Sequence, residues 1–443
     1  MTRAKLPTEP LSGARYVFCA CAALLTILGV IAASNALLDP FGMHRWLERD
    51  GLNAYKPAIH TRVRLFKAYE VERVRPQTIV LGSSRSHVGF SCRHPAFERL
   101  PGPCYNLAFD GATTREMFAY LVHANAVRPL KTVLLGLDTY HLSEAASTTR
   151  SGFEAAVLLS PTHLALERAV EGDLRLWISA DALQASLEML RRQDEREPEW
   201  FSADGQRLGE VFFRREGEEF VRMGPRGYFD GIDRLEVGFQ TPARSERRQP
   251  PAASAPDAAE SSLAYVGRIV AFCREHDIDL RIAITPSHVH QQEISALLGA
   301  GAAAESGKRA LVRLLARDNV HRAESASQSV VALWDFSGYS SITTEPLPPA
   351  ATREEMKFYW DSSHFKSGVG DLVLDRVFAT QRAGHTLPAD FGVRLTTANV
   401  EEVLSMERKQ QASYRQSAAQ DLEALRALVD SAARASLGPV DVR

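Results

Sequence analysis

Two short segments far apart in the chain carry residues that could work as one reacting group: Leu81-Gly82-Ser83-Ser84-Arg85-Ser86-His87 and Trp360-Asp361-Ser362-Ser363-His364-Phe365. The first supplies Ser84 as a nucleophile. The second supplies His364 as a base and, three residues before it, Asp361 to fix the tautomer of its ring and stabilise the charged form. A hydroxyl is a weak nucleophile until a base takes its proton, so these three residue types together point to acyl transfer through serine. His87, one helical turn beyond Ser84, is on too short a tether to rival His364 and reads as part of the surrounding shell. Arg85 reads as an ion-pair partner or as a substrate clamp.

Such residues need rigid elements behind them. Residues 78–81, Thr-Ile-Val-Leu, form a β-rich apolar run that turns sharply at Gly82. Further short apolar runs cover residues 105–109, 132–137, 280–285 and 330–336, with helical stretches between them. One of these, 113–127, carries Met117, Phe118, Leu121 and Val122 at helical spacing behind a capping-box start at Thr113 and Glu116. Buried strands alternating with helices predict an α/β fold whose parallel sheet is covered on both faces. Ligands of such sheets gather beyond the carboxyl ends of the strands. Ser84, Asp110 with Gly111, Asp138, and His288 with His290 all follow strands in this way. His288 and His290 alternate and could face one metal together with a carboxylate, but no third ligand stands at a recognisable spacing, so no metal is expected.

The chain has 443 residues, 45% of them apolar and 24% charged, which suffices for a sizeable core and exceeds one average domain. A net charge of -2 without a basic stripe removes nucleic acid as a partner. Residues 16–38 contain no charged side chain, enough for the roughly 20 helical residues that cross a bilayer core. Arg3, Lys5 and Arg15 precede this run and Asp39 follows it, so the positive-inside bias places the N-terminus in the cytoplasm and the body outside. A cleaved signal peptide is the other reading, with Ser34-Asn35-Ala36 as a weak site. The run is longer than a signal core of about 7 to 15 residues, which favours a retained single-pass anchor. Outside the cytosol a Cys92 to Cys104 disulfide is permitted, two separate buried thiols being the alternative. The expected organisation is a cytoplasmic tip and anchor over 1–44, an α/β domain over 45–395 with an insertion or cap at about 150–258, and a helical segment over 396–443. The cap would bear on substrate choice; 249–258 reads as a flexible linker and the last segment as a surface or partner-binding helix without chemistry.

In its ordered motifs the chain resembles the SGNH hydrolase superfamily, the GDSL-like esterases. That family has a strand leading into Gly-Asp-Ser and a late Asp-x-x-His, matched here by Gly82-Ser83-Ser84 and Asp361-Ser362-Ser363-His364. Ser83 departs from the usual Asp, as in membrane-anchored members that serve envelope acylation. The resemblance covers residues 76–145 and 279–385. It implies a three-layer α/β/α fold with a mainly parallel sheet, preceded by one transmembrane helix. It also implies a catalytic Ser84, Asp361 and His364, and an oxyanion hole with the N–H groups of Ser84 and of Gly111, in Asn106-Leu107-Ala108-Phe109-Asp110-Gly111. The family's third block, Gly-x-Asn-Asp, is here Gly136-Leu137-Asp138-Thr139. An ionised Asp138 donates no hydrogen bond and would repel an oxyanion. Asn106 is the candidate replacement, or the hole is built from backbone N–H groups alone. Arg85, His87, Asp138 and His288 remain as candidates for the substrate shell.

An anchor, an extracytoplasmic body and this triad together resemble envelope acylation proteins such as the alginate O-acetylation components and the D-alanine transfer protein of teichoic acids. The resemblance implies a serine O-acyltransferase or esterase in the periplasm, held on the inner membrane, acting on an envelope polysaccharide without a cofactor. A membrane-bound acyl donor protein would be its partner. The rival reading is a non-catalytic SGNH-like binding or assembly protein of an envelope polysaccharide complex. Asp138 favours that rival; the intact Ser84, Asp361 and His364 oppose it.

Overall fold

The computed structural model describes residues 13–158, 172–195, 200–211, 213, 218–241, 260–324, 328–349, 352–382, 384 and 386–437. The linker expected at 249–258, residues 159–171 and most of 212–217 lie outside them. The chain divides into two compact units. One comprises the chain up to Tyr69 with Glu154–Glu197, the other Glu70–Phe153 with Pro198–Arg443. The insertion expected at 150–258 is therefore split: its first part belongs with the N-terminal segment and its second with the sheet. The N-terminal unit also extends beyond the boundary expected at residue 44.

The second unit is an α/β body. Its six strands are β1 (Thr78–Leu81), β2 (Cys104–Asn106), β3 (Thr132–Leu137), β4 (Asp279–Ile284), β5 (Ala332–Asp335) and β6 (Val393–Leu395), in the order β2-β1-β3-β4-β5-β6. All neighbours are parallel except β6, which runs antiparallel on β5. Every residue of β1 and β3 is buried, so both faces of the sheet centre are covered, as the unbroken apolar runs require. Register pairs Leu81 with Leu135, Leu135 with Ile282 and Ile282 with Leu333. The carboxyl ends of β1, β3, β4 and β5 consequently open on one edge.

Helices follow in chain order: α1 (Gly13–Leu38), α2 (Ser84–Gly89), α3 (Thr114–Val127), α4 (Ala180–Arg191), α5 (Glu218–Gln240), α6 (Ser262–Glu275), α7 (His290–Leu297), α8 (Gly301–Ala323), α9 (Ser367–Val377), α10 (Val400–Ser417) and α11 (Ala419–Leu437). The capping box read at Thr113 and Glu116 starts α3. In α5 the helical path breaks at Gly224, whose φ of 73° precedes Pro225. α6 packs with α3 and α8, whereas α9 packs on α2. A core of Val80, Phe90, Leu134, Phe336, Phe365, Val373 and Phe391 joins sheet and helices. Cys92 and Cys104 form a disulfide, tying the segment after α2 to β2. The segment expected to be a surface or partner-binding helix forms α10 and α11, which pack on this body. Leu422, Leu425 and Val429 bury against Val237 and Ile294, and Glu407 of α10 pairs with the buried Lys308.

In the first unit, α1 is a 26-residue helix long and apolar enough to cross a membrane. Just beyond it, Asp39 accepts the backbone N–H groups of Met43, His44 and Arg45. Lys56 donates to the Asp39 carbonyl at 2.8 Å, and Tyr69 bonds Asp173.

Candidate active site

β1 ends at Leu81, and Gly82 turns the chain where a side chain would collide with Ser86. Ser83 then caps α2, accepting from the Arg85 N–H at 3.3 Å. Ser84 becomes the first residue of α2, in the turn whose N–H groups find no partner within the helix. The second segment is a tight loop between Tyr359 and Phe365, which pair antiparallel, with the Trp360 N–H donating to the His364 carbonyl at 2.9 Å. Asp361, fully buried, accepts the N–H groups of Ser363 and His364 at 2.7 and 2.8 Å. Its carboxylate is thereby locked in place.

The two segments meet. Ser84 Oγ lies 2.9 Å from His364 Nε2, and His364 Nδ1 lies 2.9 and 3.0 Å from the two Asp361 oxygens. With the Nδ1 proton donated to Asp361, Nε2 is left to accept from the serine hydroxyl. Phe213 walls the imidazole at 5.6 Å and stacks on Trp360 at 5.1 Å, so the ring has one apolar side.

Behind the Ser83-Ser84 turn stands Asp138. It accepts from the hydroxyls of Ser83 and Thr285, each at 2.5 Å, with Arg85 Nη1 at 3.6 Å. Burial would raise this carboxyl, but Arg85, His141 and the two hydroxyls outweigh it and hold it below the usual carboxylate range. Asp138 therefore steadies the turn as an anion and offers no donor. His141 ties the same strand end to the next loop: its Nδ1 accepts from the Asp138 N–H at 3.0 Å and its Nε2 donates to the Ala112 carbonyl at 2.9 Å. Gly111, in that loop, has φ 59°, and a Cβ there would lie 2.9 Å from Arg150 Nη1.

Asn106 is placed differently from the expected oxyanion donor. Its Nδ2 donates to the carbonyls of Ser86 at 2.9 Å and Phe90 at 2.7 Å, and its Oδ1 accepts the Ala108 N–H. Both amide hydrogens are committed to the region around the end of α2. Arg85 is buried and reaches Ser363 Oγ at 3.2 Å, so it bridges the two motif segments. His87 is turned to Asp110, 3.1 Å away, which also holds Arg207. His288 donates its N–H to the Ser362 carbonyl, and its Nε2 bonds the Glu345 carbonyl. Burial, then the neighbouring His290, push its imidazole well below the ordinary histidine range. His290 meets Asp233 at 2.8 Å, and among the described residues no group of three or more His, Cys, Asp or Glu could hold a metal ion.

Four residues near the site were not singled out from the sequence: Arg150, Arg207, Phe213 and Glu236. Glu236, on α5, bonds the Ser363 hydroxyl; burial raises its carboxyl, with Arg85 and that hydroxyl pulling the other way. All four lie within the stretch expected as the insertion, Arg150 at its very start, and no spacing rule links any of them to Ser84 or His364. No protein-family model matches the chain, and no curated protein matches its sequence.

Proposed function

We propose that the protein is an SGNH-type serine O-acyltransferase or esterase, anchored in the inner membrane by α1, with its N-terminus in the cytoplasm and its body acting on a cell-envelope polysaccharide. The observation that carries this reading is the continuous contact Ser84 Oγ to His364 Nε2 to Asp361, 2.9 Å at each step. His364 takes the Ser84 proton as Oγ attacks the acyl carbonyl of the donor. The tetrahedral oxyanion is held by the N–H groups of Ser84 and Gly111. Collapse breaks the bond to the donor oxygen, which leaves with the proton from His364, and an acyl-serine remains. A sugar hydroxyl or water, deprotonated by His364, then attacks that ester, and Ser84 Oγ leaves with the proton returned by His364. Asp361 stays ionised throughout and stabilises the imidazolium. A membrane-bound acyl donor protein is the partner this scheme calls for.

The test is intact mass spectrometry of the full chain in detergent after treatment with a fluorophosphonate, alongside Ser84→Ala. One adduct on the wild type, absent from the variant, is the expected result. A folded wild type that takes up no adduct would sink the catalytic reading and leave the binding or assembly role.

A further inference from the structure

We propose that α4 and the aromatic residues beside it form a second membrane contact, seating the first unit in the lipid at the C-terminal end of α1. The inference rests on the reading of α1 as a membrane span. A span of about 20 residues starting at Tyr16, just past Arg15, ends near Asn35. Residues 13–27 of α1 are bare on all sides, whereas from Leu28 onward one side of it is partly covered, Val30 and Leu37 staying exposed, and Asn35 is buried. The covering residues include Trp177 and Ser186: Asn35 Nδ2 donates to the Trp177 carbonyl at 2.7 Å, and Ser186 Oγ donates to Asn35 Oδ1 at 2.8 Å. A polar side chain inside an apolar span is satisfied there, as hydrocarbon surroundings require. The cover overlaps the last turns of the span, so it reaches the depth of the adjoining leaflet.

The faces of α4 fit that depth. At about 100° per residue, Ala182, Ala185, Ser186 and Met189 fall on one arc, and all are buried. Asp181, at one border, pairs with Arg62; Ser186, at the other, touches α1. Beyond the Ser186 border the apolar character continues uncovered. Leu187 is 46% and Leu190 41% exposed, on the flank that shares its surroundings with α1. Gln184, Glu188 and Arg191 lie on the remaining side. What sets these two leucines apart from other exposed apolar side chains is their place beside α1, where a lipid-facing surface would carry them. Trp46 is an independent sign. It is 62% exposed, stacked on His44 at 4.4 Å and 6.0 Å from Trp177, the amphipathic ring type found where a span meets water.

The experiment uses the full chain in phosphatidylcholine–phosphatidylglycerol vesicles, with Cys19 and Cys21 replaced by alanine. Single cysteines at Leu187, Leu190, Gln184 or Leu25 each carry an environment-sensitive fluorophore. Severalfold brighter emission at Leu187 and Leu190 than at Gln184, quenched by doxyl lipid and not by iodide, is the expected result. Quenching of the leucine-site labels by iodide overturns the proposal. Protection from both quenchers also overturns it, showing a protein cover such as residues 159–171 or another chain. A Leu25 label that doxyl lipid does not reach would mean that the span itself is wrong, whereas a quenched Leu25 with unquenched leucine-site labels defeats the second contact alone. Should a labelled variant fail to fold, brominated lipid acting on the native tryptophans tests the aromatic part of the contact: the quenching must weaken in Trp46→Phe, and an undiminished signal overturns the placement of Trp46.

Discussion

That Ser84, Asp361 and His364 come together was legible in the sequence because each belongs to a local pattern, a strand end with a glycine turn or an Asp-x-x-His loop. Asn106 marks the limit of that reading. Its residue type suits an oxyanion donor, but a side-chain amide does whatever its neighbours allow, and here the Ser86 and Phe90 carbonyls take both hydrogens. Glu236 shows the opposite failure, a residue brought beside Ser363 by a long insertion that leaves no periodic trace. The Asn106 assignment is testable. Asn106→Ala leaves buried carbonyls without a donor and should cost on the order of 3 kcal/mol of stability, measured by chemical denaturation. The rate at which a fluorophosphonate phosphonylates Ser84 in the folded fraction should fall less than about tenfold. An oxyanion donor would behave in reverse, losing about 10² to 10³ in rate with stability nearly intact.

At the scale of elements, one close approach joins the two halves of the site. A Cβ on Gly370 of α9 would strike the Gly89 carbonyl at the end of α2, and one on Gly89 would strike the Phe365 ring, next to His364. The glycines let α2, α9 and the histidine loop share one small volume. Gly370→Ala should therefore cost about 1–3 kcal/mol by overpacking. Because it pushes α2 from the loop, it should also slow acylation of Ser84 by on the order of 10²-fold, the penalty for roughly 1 Å of misplacement. Gly368→Ala, two residues away with nothing within 4 Å, is the control. It should leave acylation unchanged and match or exceed wild-type stability; equal effects of the two variants would refute the coupling. Four strands were legible nearly to the residue, since buried parallel strands are continuous apolar runs. β2 ends at Asn106 instead of Phe109, although the Leu107 and Phe109 N–H groups still bond the carbonyls of Val80 and Gly82. β6 went unread, because three residues on an antiparallel edge carry too short a pattern.

For the whole molecule, the sheet's C-terminal edge is a buried polar layer whose protonation bears on global stability. His141 and His288, after β3 and β4, are both lowered by burial, as is His94, near α2. The sign follows from linkage. Below about pH 6.5 the unfolded chain protonates His288 while the native site does not, so the unfolded state binds more protons and stability falls as pH falls. The contribution of His288 is nil well above that pH and reaches about 1.4 kcal/mol per pH unit below it, down to the lowered native pKa. The raised carboxyls of Glu236 and Glu345 act in the opposite sense at lower pH, keeping protons that the unfolded chain has released. A difference between two proteins isolates the histidine. Between pH 7.5 and 5.5, wild type should lose about 1.4 kcal/mol more stability than His288→Gln, read from urea midpoints at each pH. Parallel pH profiles would mean that native His288 takes up its proton as readily as the unfolded chain. In that case the ring is not held neutral between the Glu345 carbonyl and the His290 N–H, and the loop that carries Ser362 is not anchored as the hydrogen bonds place it.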